Sequence, residues 1–61
     1  MNEARVLEAI RTITAETGYP PDADELAAAL GVSTRQILSA LMGAKRRGVV
    51  SYDEAGRLVP A

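Results

Sequence analysis

Between Ser33 and Arg47 the chain concentrates the side chains best suited to hydrogen bonding and to anion contact. Ser33, Thr34, Arg35, Gln36 and Ser39 come first, and Lys45-Arg46-Arg47 follow. Arginine can donate to the two acceptors on a guanine edge, and glutamine can pair with adenine. Serine can serve either a base or a phosphate. A cluster of three cations suits phosphate oxygens. The other chemistry open to these residues is a serine–lysine nucleophile pair, because Lys45 is the chain's only lysine. Ser39, however, lies six residues from Lys45, about 240° around a helix, so the two side chains diverge. Ser51 has no base paired with it in the sequence. With no histidine or cysteine, imidazole bases, thiolate nucleophiles, disulfides and the usual zinc sites are excluded. No phosphate-cradling glycine loop is present either. The expectation is a protein that is not an enzyme and carries no cofactor or metal.

The charge distribution supports anion binding more than the total does. The net charge is −1 and the isoelectric point about 5.2, which taken alone argues against a nucleic-acid binder. Residues 1–32 hold Arg5 and Arg11 against Glu3, Glu8, Glu16, Asp22, Asp24 and Glu25, a balance of −4. Residues 33–61 hold Arg35, Lys45, Arg46, Arg47 and Arg57 against Asp53 and Glu54, a balance of +3. The positive half therefore coincides with the polar cluster. Arg46 and Arg47 also fall at an expected helix C-terminus, where cations suit the helix dipole whatever the function. Both readings of that pair stay open.

The elements that must position these residues are marked by local signals. Asn2 is placed to cap a first helix running to about Thr17, with Val6, Leu7, Ile10, Ile13 and Thr14 or Thr17 along one face. Gly18 ends it, and Pro20-Pro21 keeps it from resuming. Tyr19 and the prolines read as extended, with room for a short strand. Asp22 and Glu25 form a capping box for a second helix, a better account of both carboxylates than acid–base chemistry. Leu26, Ala27 and Leu30 are its apolar stripe. Gly31 supplies the turn, and Ser33 with Gln36 makes another capping box that opens a third helix from about Thr34 to Arg46 or Arg47.

In that third helix Ile37, Leu41 and Ala44 share the core face, with Ala40 flanking. Arg35, Ser39, Met42 and Arg46 point the other way. Leu38 sits between the faces, near Thr34 and Lys45. Exposed Leu38 and Met42 are unusual on a base-reading helix: they suit thymine methyls or a protein partner. Gly43 inside a helix implies close approach by a neighbour. After Gly48, Val49-Val50-Ser51-Tyr52 and Arg57-Leu58-Val59 read as strands around the turn Asp53-Glu54-Ala55-Gly56. Val50, Tyr52 and Leu58 are expected to face inward, Arg57 outward near the hairpin tip, and Pro60 to end the strand.

The expected fold is mainly α with a small β-hairpin, one domain over residues 1–61: three helices followed by a two-stranded wing, a winged helix-turn-helix. The chain resembles the amino-terminal DNA-binding domain of LexA-type repressors in Thr17-Gly18-Tyr19-Pro20-Pro21, in Glu25-Leu26-Ala27 with Leu30-Gly31, and in Arg46-Arg47-Gly48-Val49-Val50. That resemblance covers nearly the whole chain. It implies that Ser33, Arg35, Gln36 and Ser39 read bases. Two departures accompany it. The turn before the third helix is one residue shorter, and the self-cleaving protease domain of those repressors, with the dimerisation it supplies, is not carried over.

The sequence thus predicts a module that binds double-stranded DNA. It reads the major groove with helix 34–47 and touches backbone with the 49–59 hairpin. The candidate contacts are Ser33, Thr34, Arg35, Gln36, Ser39, Met42, Lys45, Arg46, Arg47 and Arg57. A domain this small gains specificity from a second copy, as a homodimer on DNA, or from a second domain. The alternative is a protein–protein module of a transcription, replication or phage regulatory assembly, engaged through Leu38 and Met42. The start of the chain lacks the apolar run of a signal peptide or membrane span, so a cytoplasmic setting without membrane contact is expected.

Overall fold

The computed structural model describes residues 2–61. Three helices, α1 (Glu3–Thr17), α2 (Ala23–Leu30) and α3 (Thr34–Arg46), precede two strands, β1 (Val50–Tyr52) and β2 (Leu58–Pro60). Each helix begins where its cap residue directs. The Asn2 side chain accepts from the Ala4 N–H, and the capping boxes of Asp22 with Glu25 and Ser33 with Gln36 are both formed.

Helices α2 and α3 also end alike. At α2 the Val32 N–H donates to the Ala27 carbonyl and the Gly31 N–H to that of Ala28. At α3 the Val49 N–H donates to Ala44 and the Gly48 N–H to Lys45. Both are Schellman closures, which need a left-handed residue within two positions of the helix end. Gly31 (φ 69°) and Gly48 (φ 75°) supply it. The first closure turns the chain by 109° between α2 and α3.

The core is one cluster: Val6 and Ile10 from α1, Leu26 and Ala27 from α2, and Ile37, Leu41 and Ala44 from α3. Val50 and Leu58 come from the hairpin. No polar or charged residue among those described is buried with them, so the fold rests on apolar burial rather than internal ion pairs. The strands are antiparallel, with Val50 opposite Pro60 and Tyr52 opposite Leu58. The expected inward position of Tyr52 is only partly realised. It shares a face with Leu58, but Leu58 fills the core and Tyr52 stands at the rim, 40% exposed. A phenol at that position keeps its hydroxyl in water.

Residues 19–21 do not form a strand. Among the described residues they meet the hairpin's backbone through one hydrogen bond, from the Leu58 N–H to the Pro21 carbonyl (2.8 Å). Two consecutive prolines leave no N–H groups from which a ladder could continue. Strand β2 runs one residue beyond expectation, through Pro60. Among the described residues, no single helix is long and apolar enough to cross a membrane.

Candidate nucleic-acid interface

The interface is organised by α3, and its N-terminal turn is fixed from two directions. Ser33 Oγ accepts from the Gln36 N–H (3.1 Å), and Gln36 Oε1 accepts from the Ser33 N–H (2.9 Å). Thr34 Oγ1 donates to Asp24 Oδ1 (2.9 Å), which ties the start of α3 to the first turn of α2. These three side chains therefore use hydrogen-bonding groups within the helix-turn-helix. There Ser33 and Gln36 cap α3, and Thr34 ties it to α2. Within the described residues neither the Gln36 amide nitrogen nor the Ser33 hydroxyl donates a hydrogen bond.

Beyond that turn, α3 buries Ile37, Leu41 and Ala44 and exposes Arg35, Leu38, Ser39, Met42, Lys45 and Arg46. At about 100° per residue, Arg35, Ser39, Met42 and Arg46 lie within an arc of roughly 60°, with Leu38 alongside. Arg35 and Arg46 mark the two ends of this ridge, about 16 Å apart along the axis at 1.5 Å per residue. Among the described residues neither has a carboxylate within ion-pair distance. The helix contains no aspartate or glutamate. The ridge is thus a free, positively charged edge with an apolar middle.

The remaining cations are placed differently. Lys45 Nζ lies 4.7 Å from the centroid of the Tyr52 ring, linking α3 to the wing, and pairs with no carboxylate among the described residues. Arg47 pairs with Glu3 at the start of α1. Its guanidinium also covers Gly43, where an added Cβ would come within 3.0 Å of Nη2. The neighbour that approaches Gly43 is therefore a side chain of the same helix end.

Arg57 requires a correction. It does not point outward from the hairpin tip. Its Nη1 donates to the Pro20 carbonyl (2.8 Å) and to Glu25 Oε1 (3.0 Å), and its Cζ lies 5.0 Å from the Tyr19 ring centroid. The cause is the turn. Asp53 Oδ1 accepts from the N–H groups of Ala55 and Arg57, and this local turn brings Arg57 back over the α1–α2 connection. The wing tip is left with Glu54 as its exposed charged residue.

Sequence reading missed four participants: Asp24, Glu3, Tyr19 and the Pro20 carbonyl. Their partners lie between 10 residues away, for Asp24 and Thr34, and 44 residues away, for Glu3 and Arg47. No spacing rule within one element could reveal them.

Three helices, a sharp turn between the second and third, and a hairpin packed behind the third define a winged helix-turn-helix protein. A family model for sigma-70 region 3 matches residues 2–57. The chain belongs to that family, a helix-turn-helix DNA-binding region associated with transcription. Among curated proteins and among solved structures, nothing matches it significantly. The family supports the DNA-binding, transcription-related class expected from the sequence. It does not extend to the likeness to LexA-type repressors.

Proposed function

We propose that this chain is a sequence-reading module of a transcription factor or regulator that places α3 in the DNA major groove and performs no chemistry of its own. The observation that carries this reading is the pair Arg35 and Arg46. They are exposed, without carboxylate partners among the described residues, and set at opposite ends of one acid-free ridge. In this reading Arg35, in the first turn of α3, donates to a guanine edge. Ser39 serves a base or phosphate, and Arg46 with Lys45 contacts the phosphates across the groove. Ser33, Thr34 and Gln36 hold the helix at its entry angle. Arg47 and Arg57 act chiefly within the fold.

A single helix reading a few base pairs binds weakly, so specificity comes from a second copy on an adjacent half-site or from a further domain. A repressor role is one use of such a module, and service within a larger transcription assembly is another.

Fluorescence anisotropy with duplex DNA at several salt concentrations tests the proposal. Affinity should fall steeply with salt. Arg46→Ala should weaken binding to all sequences and reduce the slope of log K against log salt by about 1. Arg35→Ala should cost about 1–3 kcal/mol on a preferred site and relax its sequence preference. Binding that ignores salt, or survives both substitutions unchanged, would remove α3 as the DNA surface.

A further inference from the structure

Two apolar side chains occupy the middle of the α3 ridge. Leu38 is 45% exposed and Met42 is 64% exposed. Four residues apart, they are neighbours on the helix surface, and together they form a small hydrophobic step between the cations of Arg35 and Arg46. Neither packs into the core, since the facing positions are filled by Ile37, Leu41 and Ala44. The rest of the ridge suits a polyanion, with a cation at each end that has no ion-pair partner among the described residues and no carboxylate along its length.

We infer that Leu38 and Met42 read the C5-methyl groups of pyrimidines in the major groove, so that the preferred duplex carries thymine beside the guanine contacted by Arg35. This rests on the proposal that α3 is the DNA-reading helix. The chemistry follows from the base edges. Thymine presents an acceptor and a methyl group there, whereas cytosine presents an amino donor and no methyl. An isobutyl or thioether side chain offers no acceptor that would reward the cytosine amine. What it gains from thymine is the removal of a methyl group from water. Because recognition depends on the methyl, 5-methylcytosine satisfies it as well as thymine does. The flanking charges favour DNA over a protein as the occupant of this step, since a protein surface would need acidic groups at both ends, about 16 Å apart by helical rise.

The test starts from a random-sequence duplex library selected with the 61-residue chain. The enriched site is then remade with uracil for thymine, which removes only the methyl group, and with 5-methylcytosine for cytosine at the same positions. Each contacted methyl should be worth about fourfold in affinity. Uracil should weaken binding by that factor, and 5-methylcytosine should exceed cytosine by a similar one. Leu38→Ser and Met42→Ser, both at exposed positions, should stay folded and bind the thymine and uracil duplexes equally. If the unaltered chain binds both duplexes equally while the salt dependence and the loss in Arg46→Ala persist, the methyl-reading inference fails and α3 remains the DNA surface. If no duplex is bound at low salt, the DNA reading fails and this inference falls with it. Self-association abolished by Leu38→Ser or Met42→Ser, with no preference for thymine, overturns it in favour of contact between copies.

Discussion

Arg57 Nη1 donates to Glu25 Oε1 at 3.0 Å, and the same carboxylate oxygen accepts from the Asp22 N–H at the start of α2. One side chain thereby joins the cap of a helix to the wing, across 32 residues of sequence. The hairpin is held against the α1–α2 connection by this contact as well as by the burial of Val50 and Leu58.

Arg57→Ala should therefore act on stability. The ion pair is substantially exposed, with side chains 33% and 43% accessible, so its own contribution is screened. The bond to the Pro20 carbonyl and the Tyr19 contact add to it. A loss of about 1 kcal/mol in urea denaturation is expected, with duplex affinity changed less than it is by Arg46→Ala. A large drop in affinity at unchanged stability would return Arg57 to the DNA surface.

Much of the fold could be read locally because each helix end is encoded within a few residues. Asn2, Asp22-Glu25 and Ser33-Gln36 open the helices, and Gly18, Gly31 and Gly48 close them. The outward set Arg35, Ser39, Met42 and Arg46 followed from helical period alone. Arg57 did not, because its direction depends on an Asp53 turn and on acceptors contributed by α2 and the loop before it. The depth of Tyr52, though not its face, was missed for a related reason. In a three-residue strand, alternation gives the face but not the distance from the core edge. The family was harder still to read, since a Glu-Leu-Ala helix followed by Leu-Gly marks the helix-turn-helix itself and is shared across functions.

Ser33→Ala separates positioning from reading. Loss of an N-cap hydroxyl costs about 1 kcal/mol, equivalent to a fall of roughly 4–8 °C in Tm for a domain of this size. Thermal unfolding by circular dichroism should show that fall. An unchanged Tm accompanied by weaker DNA binding would make Ser33 a DNA contact instead of a cap.

Gly43→Ala should raise stability. Alanine gains up to about 1 kcal/mol over glycine within a helix. The nearest atoms a new Cβ meets belong to the Arg47 guanidinium group, the far end of a flexible and largely exposed side chain. The Arg47 side chain should move aside, and Tm should rise by a few degrees. A fall in Tm would mean that the Arg47 position over Gly43, beside Glu3, is worth more than the helix propensity gained.

The central claim is that the outer edge of α3 is where DNA is met, and backbone amide shifts during titration with short duplex DNA test it most directly. At low salt the changes should concentrate on Thr34–Ser39, Met42 and Lys45–Arg46. They should fade at high salt and leave the exposed side of α1 undisturbed. Shifts confined to α1, or no shifts even at low salt, would contradict the account.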